Sequence, residues 1–204
     1  MKRNDSSAAG LRLGLFGGSF DPVHWGHLWV AQAAMEELGL DRVVFVPASQ
    51  SPFKAGQPPV APAEERVRML RLALAGRPEF EVDDCEVRRG GISYTVETLR
   101  QYAQRHPGAQ LFYLVGADHV PTLPRWREAT EVARRATFVA LMRPGEAPPA
   151  FPEPFRGVSV TGFPVGLSSS LIRARVRQGK SIEWLVPPAV AEAIRLRCLY
   201  AGGA

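Results

Sequence analysis

A strand, a glycine-containing turn and a helix follow one another in the stretch GLFGGSFDPVHWGHL, residues 14–28. The apolar residues 11–16 predict a short buried strand, and the turn residues from Gly17 to Val23 end it. From Trp25 onward apolar residues recur at helical spacing, and Gly39 is a natural stop for the helix. The sequence therefore predicts a strand that leads through a glycine loop into the start of a helix.

The same alternation of strand and helix continues outward along the chain. Apolar runs predict further strands at residues 42–46, 80–87, 111–115, 137–142 and 158–161. Helical spacing predicts further helices at residues 63–75, 95–105, 128–135, 169–177 and 188–200. The run LFYLV at 111–115 is apolar throughout, as expected of a strand buried on both faces. The pattern predicts an α/β fold with a parallel sheet, and a ligand crevice beyond the strand carboxyl ends where the strand order reverses.

The composition is typical of a globular cytosolic protein. The chain has 204 residues, of which 46% are hydrophobic and 22% charged, and this suits one domain with a sizeable core. We expect residues 1–10 to form a disordered tail, residues 11–200 a single domain and residues 201–204 a flexible end. No apolar run is as long as a membrane span, and the polar N-terminus does not look like a signal peptide. Cys85 and Cys198 are far apart, so neither a disulfide framework nor a structural zinc site is expected.

The loop after the first strand has the features of a phosphate site. Gly17 and Gly18 lack side chains and let a backbone approach a phosphate closely, and Ser19 adds a hydroxyl. His24 and His27 lie at the start of the predicted helix, where free backbone N–H groups and the helix dipole favour an anion. A purely structural role for the histidines is the alternative, and a zinc site would need further ligands. The absence of GxGxxG and Walker A motifs disfavours dinucleotide redox chemistry and P-loop phosphoryl transfer.

Five motifs, in this order, make the chain resemble bacterial nicotinate-nucleotide adenylyltransferases, within the nucleotidyltransferase superfamily that carries an HxGH motif. They are GGSFDPVHWGH at 17–27, PFK at 52–54, ISYTVETL at 92–99, LVGADHVPTLPRW at 114–126 and SSSLIR at 168–173. The resemblance extends over residues 11–195. Two positions depart from the family pattern, because Phe53 stands where many relatives have histidine and Ser170 replaces a threonine while keeping its hydroxyl.

The resemblance implies a Rossmann-like, doubly wound and mostly parallel sheet with helices on both faces. It implies an enzyme that joins ATP and nicotinate mononucleotide to give nicotinate adenine dinucleotide and pyrophosphate, a step of NAD biosynthesis. Mg²⁺ would be bound with the ATP phosphates, with no metal ligands from protein side chains. We expect a cytoplasmic protein with neither nucleic acid nor membrane as a partner. The sequence leaves the oligomeric state open, and a homo-oligomer is compatible with it.

The resemblance also suggests roles for individual residues. His24, His27 and Arg173 would act on the phosphates as catalytic residues. The residues expected to bind ATP are Gly17, Gly18, Ser19, Phe20, Lys54, Gly116, Asp118, Ser168 and Ser169. Those expected to bind nicotinate mononucleotide are Tyr94, Thr95 and Trp126. The competing structural roles are a helix cap for Asp118 and for SSSLIR, a solvated side chain for Lys54 and core packing for Trp126.

Four other functions share parts of this pattern. Phosphopantetheine adenylyltransferases share the histidine motif but typically lack the SYT and SSSLIR segments. The amidated nucleotide could replace the acid as substrate, since that choice depends on a few contacts that the sequence does not resolve. HWGH is similar to the HIGH motif of class I aminoacyl-tRNA synthetases, yet a KMSKS-like segment is missing and the net charge of +5 is scattered. A regulatory relative that binds nucleotides without turnover is disfavoured because both histidines and Arg173 are intact.

Overall fold

The computed structural model describes residues 10–54, 59–143, 145–163 and 165–202, without the side chain of Lys54. Within these ranges the strands are β1 (Arg12–Gly18), β2 (Arg42–Pro47), β3 (Phe80–Val82), β4 (Gln110–Gly116), β5 (Thr137–Leu141) and β6 (Gly157–Val160). They form one parallel sheet in the order β3-β2-β1-β4-β5-β6. The predicted Rossmann-like, doubly wound sheet is confirmed. Of the two expected terminal segments, residues 1–9 and 203–204 lie outside the described ranges.

The order of the strands reverses at β1, the central strand of the sheet. β1 pairs with β2 on one side, where Phe16 is in register with Phe45, and with β4 on the other, where Phe16 is in register with Leu114. The chain therefore adds β2 and β3 in one direction and β4 to β6 in the other. A crevice opens between the carboxyl ends of β1 and β4, because the connections that follow these two strands cover opposite faces of the sheet.

Helices cover both faces of the sheet. They are α1 (Trp25–Leu38), α2 (Ala63–Ala73), α3 (Cys85–Arg89), α4 (Thr95–Arg105), α5 (Ala129–Arg135), α6 (Ser169–Arg177) and α7 (Pro188–Leu196). Two 3₁₀ segments, Pro52–Lys54 and Ala117–Arg125, lie in connections. α1 begins and ends as predicted, with His24 as its N-cap and Gly39 in the left-handed region at φ 57°. Among the described residues, no helix has the length and apolarity that crossing a membrane requires.

Two apolar layers, one on each face of the sheet, form the core. On the first face α1, α2, α6 and α7 pack on strand residues such as Phe45 and Leu114. On the second face α3, α4, α5 and the segment Ala117–Arg125 pack on residues such as Leu15, Tyr113 and Phe138. All five strand residues are buried. Burial on both faces accounts for the continuous apolar runs in the sequence.

The strand predicted at 80–87 is wrong over its second half, because β3 ends at Val82. The Asp83 carboxylate accepts a hydrogen bond from the backbone N–H of Cys85 at 2.9 Å, and the chain turns there into the short helix α3. Such a local bond between a side chain and the backbone is how Asp residues start turns and helices. Cys85 is buried among apolar side chains, as a small hydrophobe.

The end of the chain also differs from its prediction. The helix expected at 188–200 ends at Leu196, and the residues after it turn back toward the molecule. The backbone N–H of Leu199 donates to the carbonyl of Ile194 at 3.0 Å, and Cys198 and Tyr200 both have positive φ angles. Tyr200 is buried as a result. No local pattern of apolar residues signals this reversal.

Candidate active site

A cavity of about 600 Å³ opens at the carboxyl ends of β1 and β4, where the strand order reverses. Three parts of the chain meet there: the loop between β1 and α1, the end of β4 and the N-terminus of α6. The predicted site residues that line the cavity are Gly17, Gly18, Ser19, Phe20, His24, His27, Gly116, Asp118, Ser168, Ser169 and Arg173. The structure thus brings together residues that the sequence places up to 156 positions apart, since Gly17 and Arg173 are both part of the wall.

Close packing requires glycine at two positions near the cavity. A Cβ atom at Gly17 would lie 2.2 Å from the hydroxyl of Tyr113 on the neighbouring strand β4. That hydroxyl is also hydrogen-bonded to Oγ1 of Thr95, 3.2 Å away. A Cβ atom at Gly26 would press on the His24 ring, 3.0 Å from Nδ1. Both glycines let a ring approach the loop that leads into α1, which we call the phosphate loop, residues 17–24.

His24 and His27 form a stacked pair at the N-terminus of α1. Their ring centroids lie 3.7 Å apart, with 28° between the ring planes. Nδ1 of His27 accepts a hydrogen bond from the backbone N–H of His24 at 3.2 Å. Because Nδ1 is the acceptor, the proton of a neutral His27 ring must be on Nε2. The same contact satisfies the backbone N–H of His24 at the start of the helix. The His27 ring therefore caps this donor and is held in one orientation.

Both histidines are uncharged at neutral pH. Burial lowers the pKa of His24 from 6.5 to about 4. Burial, and to a smaller extent the neighbouring His24, lower the pKa of His27 well below its ordinary value. The pair therefore supplies uncharged N–H donors to the cavity. The positive potential of the cavity comes from the helix N-termini and Arg173. Among the described side-chain atoms, Nδ1 of His24 is buried and has no hydrogen-bond partner.

The N-terminus of α6 is joined to the phosphate loop by hydrogen bonds. Ser168 is the N-cap, and its Oγ accepts from the backbone N–H of Leu171 at 3.2 Å. Ser169 Oγ donates to the carbonyl of Pro22 at 2.8 Å, and Arg173 Nη1 donates to the carbonyl of Asp21 at 2.7 Å. The helix-cap role considered for SSSLIR is therefore present, and it occurs at the wall of the cavity. Two helix N-termini consequently meet around one cavity, an arrangement that suits polyanions.

Asp118 lies at the opposite side of the cavity, just after β4. It is not a helix cap, since Gly116 occupies the N-cap position of the segment Ala117–Arg125. Its carboxylate is half exposed, and its partner is Arg143, with 3.6 Å between Oδ2 and Nη2. Arg143 lines the cavity as well. The carboxylate is accessible to the hydroxyl groups of a bound ligand.

Tyr94, Thr95 and Trp126 do not line this cavity; they lie beside it on the second face of the sheet. Thr95 is joined to the phosphate loop through Tyr113, whose hydroxyl lies against Gly17. The Trp126 ring packs edge-on against Tyr113, with centroids 5.9 Å apart, and it also contacts the exposed Phe53 at 5.8 Å. Trp126 is partly buried against the core of the second face, so the packing role considered as its alternative is present.

Lys54 forms the end of the 3₁₀ segment Pro52–Lys54, and its side chain lies outside the described residues. The ring of Phe53 in the same segment faces two aromatic groups from the segment after β4, since it also lies 6.4 Å from the ring of His119. The connection after β2 thus approaches the connection after β4 at the carboxyl ends of the strands.

Sequence reasoning missed three buried residues behind the cavity: Asp21, Arg66 and Tyr200. Asp21 is part of the quoted motif, but only its turn-forming role was considered. Arg66 lies among Glu64, Glu65 and Arg68 and looks like part of a solvated helix face. A buried cation is rare enough to draw attention, but only a structure shows that this one is buried.

Known proteins resemble this chain along most of its length. The sequence matches the family described as cytidylyltransferase-like over residues 15–175. A protein of Thermus thermophilus named probable nicotinate-nucleotide adenylyltransferase is 45% identical over 190 residues, covering 93% of this chain and 100% of the relative. A protein of the same name from Geobacillus kaustophilus is 40% identical over 189 residues, covering 93% of this chain and 86% of the relative.

Solved structures share the fold of this chain. The nicotinic acid mononucleotide adenylyltransferase of Plasmodium falciparum, solved in complex with NaAD, superimposes with a TM-score of 0.76. The match covers 93% of this chain and 97% of that one, at 17% sequence identity, so it supports the fold alone. The chain belongs to the cytidylyltransferase-like family and, within it, to the bacterial nicotinate-nucleotide adenylyltransferases.

Proposed function

We propose that this protein transfers the adenylyl group of ATP to nicotinate mononucleotide, giving nicotinate adenine dinucleotide and pyrophosphate. The observation that carries the proposal is the cavity at the strand reversal, where the N-termini of α1 and α6 meet with His24, His27 and Arg173. These N–H donors and helix N-termini would suit a chain of phosphates. The acceptor is taken from the names of the bacterial relatives, which share 40% and 45% of their aligned residues with this chain.

The reaction requires stabilisation of negative charge on phosphate oxygens more than it requires a general base. The second pKa of a phosphate monoester is near 6, so the acceptor is largely a dianion at pH 7. One of its oxygens forms a bond to the α-phosphorus of ATP, and the bond from that phosphorus to the bridging oxygen breaks. The electron pair leaves with pyrophosphate. Catalysis is then mostly positioning and electrostatic stabilisation of phosphate oxygens.

The wall of the cavity offers donors that suit each phosphate. We assign His27 to the α-phosphate, since its neutral ring has its proton on Nε2. His24 and the backbone of Gly17, Gly18, Ser19 and Phe20 would hold the rest of the triphosphate. Arg173, with Ser168 and Ser169 at the start of α6, would bind the departing pyrophosphate. A preformed set of donors costs no reorganisation when charge moves to the leaving group.

The two ends of the dinucleotide would lie on opposite sides of the phosphate loop. Gly116 and Asp118 suit the adenosine ribose, because the Asp118 carboxylate can accept from two hydroxyl groups. Tyr94, Thr95 and Trp126 suit the pyridine ring, because an aromatic face can stack on a flat ring and N–H or hydroxyl groups can meet its carboxylate. Lys54 would reach a phosphate from the connection after β2.

Mg²⁺ fits this site as a companion of ATP. It prefers oxygen ligands, keeps several of its waters and is commonly held by substrate phosphates. The oxygen groups at the cavity wall include the hydroxyls of Ser168 and Ser169 and the carboxylate of Asp118, and such groups can contact these waters. When bound, the ion would neutralise part of the charge on the triphosphate.

Pyrophosphate release tests the proposal directly. Purified protein is incubated with ATP and Mg²⁺, with nicotinate mononucleotide, nicotinamide mononucleotide or phosphopantetheine as the acceptor. We expect fast release with the first acceptor alone. Release with the amide at least as fast as with the acid would keep the reaction but overturn the substrate assignment. No release with any acceptor would overturn the proposed activity.

A further inference from the structure

Four polar residues lie together at the phosphate loop: Asp21, Arg66 and Tyr200, which are buried, and Arg173, which is partly exposed at the cavity wall. Asp21 and Arg66 are only 4% and 1% exposed. They come from the loop after β1, from α2, from α6 and from the segment after α7. A carboxylate at the wall of a phosphate cavity is unfavourable in itself, since like charges repel. Its partners must therefore offset that charge and keep it in one place.

The Asp21 carboxylate accepts three hydrogen bonds. Oδ2 accepts from the backbone N–H of Val60 at 2.7 Å, and Oδ1 accepts from that of Ala61 at 3.1 Å. The Tyr200 hydroxyl donates to Oδ1 at 2.7 Å. Burial, followed by the charge of Asp21, raises the pKa of Tyr200 well above its ordinary value, so this hydroxyl remains a donor.

Asp21 also contacts Arg173 through both its backbone and its side chain. Nη1 of Arg173 donates to the Asp21 carbonyl at 2.7 Å and lies 3.8 Å from Oδ2 of its carboxylate. The guanidinium has five N–H groups, so these contacts leave donors for an anion in the cavity. Nη2 also donates to Ser170 Oγ at 3.2 Å. Asp21 therefore helps to position the cation that lines the cavity, through its carbonyl and through the charge of its carboxylate.

The loop itself is held by a different member of the cluster. Arg66 donates to the carbonyls of Ser19 and Ala48, at 2.7 and 2.8 Å. These contacts do not involve Tyr200. The loop backbone can therefore stay in place when the Tyr200 hydroxyl is removed, and the effect of that change should fall on Asp21 and Arg173.

The backbone at Tyr200 is consistent with a position held by this contact. Its φ angle is 64°, in the left-handed region that residues with a side chain rarely occupy. Such an outlier persists only where the surroundings over-determine it. Here the turn after α7 adopts this conformation and brings the phenol ring into the core, where the hydroxyl meets Asp21.

We propose that Tyr200 is a positioning residue of the phosphate site, which acts through Asp21 on Arg173 and so tunes the binding of pyrophosphate. This inference rests on the proposed function in one respect, that Arg173 binds the leaving group. Tyr200 does not line the cavity, so it would act without touching a bound substrate. Its hydroxyl fixes one oxygen of the carboxylate that holds the guanidinium.

Binding of inorganic pyrophosphate, measured by calorimetry in the presence of Mg²⁺, tests the inference without turnover. We expect Tyr200→Phe to weaken pyrophosphate binding by about fivefold to tenfold. This is less than the loss of a direct hydrogen bond to a charged group, because the change reaches the ligand only through Asp21 and Arg173. In an Arg173→Gln background the same change should have no further effect, because the two residues act in series.

Tyr102→Phe is a matched control. The Tyr102 hydroxyl is also buried and donates to a carboxylate, that of Asp83 at 2.8 Å, but this pair lies outside the cavity wall. We expect this variant to bind pyrophosphate as the unchanged protein does. A general loss of packing would weaken binding in both tyrosine variants, and would contradict a specific role for Tyr200.

Several outcomes would overturn the inference. Unchanged pyrophosphate binding in Tyr200→Phe would do so, as would an equal loss with and without Arg173, or no binding by the unchanged protein. Failure of the proposed function looks different: pyrophosphate binds and responds to Tyr200→Phe, yet no acceptor supports pyrophosphate release from ATP.

Discussion

His27 shows how one backbone contact can prepare a side chain for chemistry. Its Nδ1 accepts from the N–H of His24, which leaves Nε2 as the protonated nitrogen of a ring that burial keeps neutral. A neutral donor attracts a phosphate oxygen less strongly than a cation does, but it needs no proton exchange with solvent before binding. The residue can therefore favour charge that grows on the α-phosphate during the reaction.

Replacing His27 by alanine should lower turnover by about 10²–10³, the loss typical of a single transition-state donor. ATP binding should weaken far less, because the other donors of the cavity remain. The measurements are kcat for pyrophosphate release and the dissociation constant of an ATP analogue. His106→Ala is the control, since His106 stacks on Tyr102 outside the cavity wall. Normal turnover in a folded His27→Ala protein would contradict the assigned role.

Between elements, the contact of β1 with β4 determines which side chains can occupy the loop. Gly17 lies on β1, and the Tyr113 hydroxyl on β4 fills the space that a Cβ would take. The hydroxyl bonds in turn to Thr95 at the start of α4. One close approach thus links the phosphate loop with the start of α4, where Tyr94 and Thr95, two of the residues proposed for the pyridine ring, are located.

Gly17→Ala should lower the free energy of unfolding by about 1–3 kcal/mol, the usual cost of forcing an extra methyl group into a packed site. Tyr113→Phe in the same chain should recover part of that loss by removing the clashing oxygen. Gly166→Ala is the control, because a Cβ there meets no atom within 4 Å. Chemical denaturation measures all four proteins. A Gly17→Ala protein as stable as the Gly166→Ala control would show that β1 and β4 separate easily.

The aromatic contact between the two connections supports a second prediction at this scale. Trp126 contacts Phe53 and Tyr113, and we assign it to the pyridine ring. Trp126→Ala should raise the KM for nicotinate mononucleotide by at least about fivefold, since stacking and burial of a ring are worth about 1 kcal/mol or more. The KM for ATP should change little.

Trp184→Ala is the control for this prediction, because Trp184 is 88% exposed and lies beside α7, outside the cavity wall. We expect it to leave both KM values unchanged. Equal increases in the two KM values of Trp126→Ala would instead indicate a general disturbance of the fold.

For the molecule as a whole, the buried histidines connect the site with global stability. Unfolded histidine has a pKa near 6.5, and the pKa of His24 in the folded protein is about 4. As the pH falls below 6.5, the unfolded chain takes up protons that the folded protein does not bind. The free energy of unfolding must therefore decrease as the pH is lowered through this range, with a limiting slope of about 1.4 kcal/mol per pH unit for each such histidine.

Denaturant titrations at pH 7, 6 and 5 measure this slope. We expect the unchanged protein to lose stability steadily toward pH 5, and His24→Asn to lose it with a smaller slope whatever its stability at pH 7. An identical slope in both proteins would mean that His24 is protonated in the folded state and would contradict its lowered pKa.

Much of the architecture could be predicted from sequence because it is encoded locally. The apolar runs of β1, β2, β4 and β5 and the helical spacing of α1 and α4 come close to their observed bounds. The glycine loop and its histidines follow β1 directly, so the principle that parallel strands present ligands at their carboxyl ends placed them at the crevice.

The features that could not be predicted from the sequence depend on partners far away in the chain. Arg66 is buried because the carbonyls of Ser19 and Ala48 accept its N–H groups, and neither lies near it in sequence. Tyr200 is buried where its hydroxyl donates to the carboxylate of Asp21, 179 residues away in the sequence. Neither residue has a local pattern that distinguishes it from a surface arginine or from a tyrosine in a terminal turn. Pairings of this kind become visible only when the folded chain brings both partners together.

The contact between Asp21 and Tyr200 has a consequence for the order in which the molecule is made. Asp21 precedes Tyr200 by 179 residues, so during synthesis the carboxylate cannot receive its third donor until the whole stretch between them has been made. Every strand of the sheet precedes α6 and α7 in the chain. A growing chain can therefore pair these strands before Tyr200 completes the contacts of the Asp21 carboxylate.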